Sequence, residues 1–318
     1  MSVSALDKSG DIEPAIRTFV EKTSAESAAL SGGKPVTTVR RREIAELVRA
    51  PWRAGGPEMA KTEDLTIGPG GLRARIHVPR GGPGYGTLLY LHGGGWTIFS
   101  IDTHDRLMRE YAARAGCGVI GLDYSLSPES RFPHALDDVD ACVRWLRSDG
   151  GQHNLNVSRV VIGGDSAGGN LSLCAALRMR DRGDVLPHGL LLNYAALDTA
   201  VRASYARYDG DPYMLGTAEM KAFWSDYLGA PDTDNPHARP LLADLSGLPP
   251  THLCIAECDI LLDENLELKA RLEGAGVPVS AIVYPGATHS FLEAVSISAT
   301  AAQAMADASA WLAARLAP

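Results

Sequence analysis

From Gly86 onward the sequence alternates short, mostly apolar runs with longer segments of helical apolar spacing, and few architectures accept that rhythm. The runs at 86–91, 117–124, 160–162, 189–195, 252–256 and 279–284 read as strands, the first of them buried on both faces. Helical patterns separate them over 103–115, 134–147, the segment after Gly168 and 261–273, and a helix over 297–316 closes the chain. Strand followed by helix, repeated in this way, predicts an α/β fold with a mostly parallel central sheet and helices on both faces. Two earlier strands, 64–67 and 72–78, flank the turn signal Gly68-Pro69-Gly70-Gly71.

One strand-to-helix junction carries chemistry. The run at 160–162 passes through Gly163 into Gly164-Asp165-Ser166-Ala167-Gly168, and helical spacing resumes at once with Leu171, Leu173, Ala175 and Ala176. Lifting a serine hydroxyl off the end of a strand needs a tight bend, and glycines on either side leave room where a Cβ would clash. The next residue, Ala167, then sits at a helix N-terminus, where a free N–H and the helix dipole favour an oxyanion. This is the context of a nucleophile elbow, with Ser166 as its nucleophile.

A serine hydroxyl reacts poorly until a base takes its proton. With an elbow in such a sheet the chain order is serine, acid, histidine. His77, His92, His104, His134 and His153 come too early, His188 and His252 open strands at the far edge of the sheet, and His237 sits in a return loop. His289 follows a late strand at its C-terminal end and is the expected base. Asp259, just past the strand at 252–256, is the preferred acid. Glu257, which abuts that strand, competes with it, as do Asp263 and Glu264, which also suit the first turn of a helix.

The strand at 86–91 ends in His92-Gly93-Gly94-Gly95-Trp96. Three glycines leave N–H groups uncovered, so the loop is suited to aiming two donors at one anionic oxygen, and the flanking histidine and tryptophan argue for a packed loop over a loose turn. Helical spacing over 11–30 and 39–50, ended by Pro51 and Gly55-Gly56-Pro57, precedes every strand and reads as part of a lid. The aromatic-rich excursion at 199–231 has no clear strand and reads as the rest of it. The expected organisation is therefore cap helices over 1–50 and a catalytic domain over 51–318, with 199–231 inserted as the second part of the cap.

Lysine and arginine total 30 against 38 aspartate and glutamate, a net charge of −8. The one basic block, Arg40-Arg41-Arg42, is expected on a solvated helix face, and nucleic acid is not an expected partner. Five cysteines, odd in number and set mostly in apolar patterns, read as reduced and buried. Cys254 and Cys258 lack the second pair of a metal site, so no metal and no cofactor is expected. No run reaches the ~18 apolar residues of a membrane span and the start lacks a signal pattern, which predicts a cytoplasmic protein.

Six motifs occur in one order: His92-Gly93-Gly94-Gly95-Trp96, Asp102-Thr103-His104-Asp105, Asp123-Tyr124-x-Leu126-x-Pro128-Glu129, Gly164-Asp165-Ser166-Ala167-Gly168-Gly169-Asn170, Asp259-x-Leu261-x-Asp263-Glu264 and His289-x-Phe291. Together, over 86–291, they resemble the bacterial hormone-sensitive-lipase family of α/β-hydrolases. The resemblance implies the α/β-hydrolase fold, the triad Ser166, Asp259 and His289, an oxyanion hole from the N–H groups of Gly94, Gly95 and Ala167, and a helical cap. It also implies dimerisation through the last strand and helix. Phe99, Ser125 and Ala195 depart from the family pattern, at positions usually held by glycine, arginine and proline. The implied reaction is hydrolysis of small to medium carboxylic esters through an acyl-enzyme. The same triad also serves amide or carbamate hydrolysis and acyl transfer, and a silent small-molecule receptor is the reading from another class.

Overall fold

The computed structural model describes residues 12–68 and 70–318. Pro69 and residues 1–11, including the expected helix start at Asp11 and the first part of the expected cap, lie outside the described residues. In chain order the elements are α1 (Pro14–Ser31), α2 (Thr38–Arg53), β1 (Lys61–Ile67), β2 (Leu72–Val78), β3 (Thr87–Leu91), α3 (Asp105–Ala115), β4 (Gly118–Leu122) and α4 (His134–Asp149). They continue with β5 (Val160–Asp165), α5 (Ala167–Arg182), β6 (Gly189–Asn193), α6 (Ala203–Arg207), α7 (Thr217–Leu228), β7 (Thr251–Cys258), α8 (Leu262–Gly274), β8 (Val279–Thr288) and α9 (Ala299–Leu316).

The strands form one sheet in the order β1-β2-β4-β3-β5-β6-β7-β8. β1 and β2 are antiparallel additions at one edge, and from β4 to β8 all pairs are parallel. Every residue of β3, β4, β5 and β6 is buried, which is why these strands read as continuous apolar runs. The chain leaves β3 towards β4, then crosses back to β5 on the other side of β3. Right-handed crossovers in opposite directions put the helices on opposite faces, with α3 packed on α9 and α4 on α5. The reversal at β3 opens a crevice at the C-terminal ends of β3 and β5, the position where open parallel sheets place their ligands.

Three expectations need correction. Pro51 lies inside α2, which ends at Arg53: a proline in the last turn gives up only one intrahelical bond, so termination falls two residues later. β8 runs through Pro285 and Gly286 to Thr288 instead of ending at Tyr284. Pro285 falls in the irregular stretch of this edge strand between the Ala256–Tyr284 and Cys258–Thr288 pairs, so its missing N–H breaks no ladder bond. Finally, Arg40-Arg41-Arg42 is not a solvated block. Arg40 pairs with Glu43 at the surface, but Arg41 reaches Glu219 on α7 and Arg42 donates to the carbonyls of Thr97 and Ser127.

The excursion between β6 and β7 contains α6, a short turn of helix at Asp211–Tyr213 and α7. α1 packs on α2 and on that turn, and α2 also packs on α3, so the N-terminal helices and the excursion meet over the C-terminal ends of the strands. Trp96 stacks on Tyr227 of α7 with centroids 4.4 Å apart and planes at 4°, joining the glycine loop after β3 to the excursion.

Candidate active site

Ser166 occupies the turn between β5 and α5 with φ 52° and ψ −116°, a conformation strained for any residue with a side chain. The glycines around it have a measurable reason. A Cβ at Gly164 would stand 2.2 Å from the carbonyl oxygen of Leu91, and one at Gly168 only 1.9 Å from the same atom. The end of β3 therefore lies directly against the turn, and only glycine permits that approach.

The three expected side chains converge. Nε2 of His289 lies 3.0 Å from Ser166 Oγ, and its Nδ1 lies 2.7 Å from Asp259 Oδ2. All three residues are buried, with Asp259 1% exposed. Asp259 also accepts the N–H of Leu261, which fixes its carboxylate, and opposite Ala256 to Cys258 β8 carries two extra residues between Tyr284 and Thr288, which bends β8 just before the histidine. Burial works against a charged imidazole at His289, but the Asp259 carboxylate outweighs it and the pKa lies above the usual histidine value.

The competing acids have other partners. Glu257 accepts the N–H of Gly286, Asp263 that of Ser204, and Glu264 that of Leu197. Glu264 is fully buried, its second oxygen has no hydrogen bond and only an ion-pair contact with Arg202 at 3.6 Å, and desolvation drives its pKa up.

Gly94 and Gly95 line the cleft that contains Ser166 and His289. Both have positive φ, 105° and 57°, and both are sterically committed to glycine. A Cβ at Gly94 would meet the Ile98 carbonyl oxygen at 2.2 Å, and one at Gly95 would enter the Phe223 ring of α7 at 2.1 Å. Ala167 is the first residue of α5, so its N–H has no acceptor within the helix.

Beneath this loop lies a buried polar network that sequence reasoning missed. Asp165 accepts from Tyr90 Oη at 2.8 Å and from the Gly93 N–H at 3.1 Å, and its other oxygen lies 3.2 Å from His104 Nε2. Burial favours neutral forms of both, yet the mutual attraction of His104 and Asp165 prevails: the histidine pKa is raised and the aspartate pKa lowered. His92 stacks on Tyr124 at 4.4 Å, and burial with the neighbouring His104 charge lowers its pKa to about 4. Asp123 accepts the Ile101 N–H at 2.7 Å and pairs with Arg73, tying down the chain after Trp96. Apart from Tyr90, Ile101 and Arg73, these residues come from four of the six motifs. The motifs were the signal, but nothing in their spacing shows which members hold the loop and which face the cleft.

Residues 88–293 match a protein family described by the α/β-hydrolase fold, and the chain belongs to that family. Among solved structures it is similar to a hyperthermophilic esterase from the archaeon Pyrobaculum calidifontis, at 31% identity over 96% of this chain and 100% of that one, with a TM-score of 0.88. An ester hydrolase from the metagenome of Lake Arreo matches at 32% identity over 95% of this chain and 98% of that one, TM-score 0.87. An esterase from the bacterial hormone-sensitive lipase family matches at 29% identity, 96% and 99% coverage, TM-score 0.85. The chain is thus a hydrolase of the hormone-sensitive-lipase group, whose family-level activity is ester hydrolysis. Among the described residues no helix is long and apolar enough to cross a membrane.

Proposed function

We propose that the protein is a serine carboxylesterase acting on small to medium acyl esters through an acyl-enzyme, with Ser166 as nucleophile, His289 as general base and Asp259 as its orienting acid. The observation that carries the reading is the hydrogen-bonded line from Asp259 through His289 to Ser166, with contacts of 2.7 and 3.0 Å. Asp259 holds the proton on Nδ1 and leaves Nε2 free to accept the serine proton as Oγ attacks the ester carbonyl. The carbonyl oxygen becomes an oxyanion, and the N–H groups of Gly94, Gly95 and Ala167 are the proposed donors to it. Collapse expels the alcohol, which takes its proton from His289. Water, deprotonated by the same histidine, then attacks the acyl-serine, and a second collapse restores Ser166 and releases the acid.

In this reading α1, α2 and the excursion at 199–231 are the cap. Their residues wall a cleft of about 590 Å³, a volume that suits a small or medium ester. Met214, Leu215, Met220 and Phe223 supply part of its apolar surface.

Replacing Ser166 with alanine is the direct test. Hydrolysis of p-nitrophenyl butyrate is expected to fall by about 10⁴-fold or more while the thermal transition stays in place. A serine-directed phosphonate is expected to add one adduct, at Ser166. Retained turnover, or inactivation with Ser166 unlabelled, removes the residue from this role.

A further inference from the structure

One polar group in the cleft has no part in the reaction above. Arg49 on α2 is 7% exposed and lines the same cleft as Ser166, His289 and Gly94. Its Nε donates to Glu293 Oε2 at 2.7 Å. The guanidinium carbon lies 4.8 Å from the ring centroid of Phe99 and 5.6 Å from that of Phe19. Among the described residues no acceptor meets its two terminal nitrogens. The terminal nitrogens are not sealed in the protein but keep surface on the cleft, where a ligand can reach them.

The rest of the chain shows what such a fork does when its second partner is present. Arg239, similarly buried, gives Nε to Asp198 at 2.7 Å and Nη1 to a second carboxylate, Asp232, at 2.6 Å. Arg202 likewise joins Asp198 and Glu267. Arg49 has the first carboxylate and lacks the second. Phe99 sets the approach: its φ is 70°, and its Cδ2 would lie 2.8 Å from a Cβ at Gly94, so the ring stands between the guanidinium and the glycine loop.

We propose that Arg49 is a specificity residue whose terminal N–H groups take a carboxylate carried by the substrate, so that the preferred esters bear a free carboxylate in their acyl or alcohol half. The proposal rests on the ester-hydrolase reading. Two parallel N–H groups match two carboxylate oxygens in geometry and charge, which a neutral carbonyl does not. Other charges facing the cleft are Arg41 with its partner Glu219, Lys34 and Asp211, and once Glu293, the partner of Arg49 outside the cleft lining, is counted the charges around it are formally balanced. Selectivity must then come from the short-range fork and not from a general field.

The test compares matched ester pairs on the intact protein after subtraction of spontaneous hydrolysis. p-Nitrophenyl hydrogen glutarate against p-nitrophenyl glutaramate places the carboxylate in the acyl half, and 4-carboxyphenyl butyrate against 4-carbamoylphenyl butyrate places it in the alcohol half. The readout is the carboxylate-to-amide ratio of kcat/KM. In one arm the wild type is expected to prefer the carboxylate. Arg49→Gln is expected to lower that ratio about tenfold, and Arg49→Lys to fall between. Ratios unmoved by Arg49→Gln in both arms overturn the proposal. Should that variant not fold, inhibition of wild-type p-nitrophenyl butyrate hydrolysis decides: stronger inhibition by glutarate or 4-hydroxybenzoate than by the corresponding amide supports the fork, and equal inhibition in both arms overturns it. Turnover of p-nitrophenyl butyrate, and its loss in Ser166→Ala, tests the ester-hydrolase reading separately.

Discussion

Gly168 offers a quantitative test of how tightly the serine turn and the glycine loop are coupled. Gly168→Ala would put a Cβ 1.9 Å from the Leu91 carbonyl oxygen, 2.6 Å from Leu91 C and 2.7 Å from the His92 oxygen. Ordinary contact begins at 3.4 Å, so the start of α5 and the end of β3 must part by about 1.5 Å. All three obstacles are backbone, so no rotamer change can absorb the strain. Overpacking of this kind costs up to about 3 kcal/mol, and for a chain of this size Tm is expected to fall by up to roughly 5 °C. Activity is expected to suffer more. The movement separates the Ala167 N–H from those of Gly94 and Gly95, and misplacement of about 1 Å costs about 10²-fold in rate. Gly151→Ala, where an added Cβ meets nothing within 4 Å, is the control and should change neither quantity. Differential scanning calorimetry and p-nitrophenyl butyrate kinetics read both. A Gly168→Ala protein with wild-type Tm and kcat within about threefold of wild type would refute the claim that this contact sets the donor geometry.

Two further perturbations address the histidine and helix α2. In the proposed mechanism the base must be neutral, so kcat/KM is expected to fall as pH drops through the His289 pKa, with a midpoint above the usual histidine value, since the Asp259 carboxylate outweighs burial. Asp259→Asn removes that charge and leaves burial in control, so the acid limb should move to lower pH while kcat falls by about 10⁴-fold; an unshifted limb would assign it to another group. Arg42→Ala breaks two bonds to main-chain carbonyls and the pair with Glu129. The Glu129 side chain is 56% exposed and contributes little, so Glu129→Gln should be nearly silent, whereas Arg42→Ala should cost about 1–3 kcal/mol in the anchoring of α2. Faster amide exchange confined to α2 and α1 checks this, and equal effects of the two variants would sink it.

What the sequence disclosed and what it hid follow from the range of the forces involved. Alternating strand and helix patterns fix a parallel sheet because each is a local periodicity, and the strands from β3 to β8 all lie where apolar runs occur. The meeting of Ser166, Asp259 and His289 was legible for the same reason: each follows the C-terminal end of a strand, and a parallel sheet brings those ends to one rim. The Asp165, His104 and Tyr90 network was not, because its members lie on two strands and a helix flank and only packing decides which polar groups turn inward. The arginine block is the more instructive case, because packing on several sides overrides the solvated reading. At about 100° per residue, three successive helical positions sweep about 200° of the circumference, and α2 packs on α1, on α3 and on the turn at Phe291–Ser296, so part of that sweep meets protein. Arg40 stays at the surface while Arg41 and Arg42 turn onto protein. Arg49 stands seven residues, about two turns, beyond Arg42 and so returns to the same face. The helix that the Thr97 and Ser127 carbonyls hold in place is therefore the one that delivers a buried cation beside Phe99, so the anchoring of α2 and the proposed carboxylate selectivity depend on a single helix rotation.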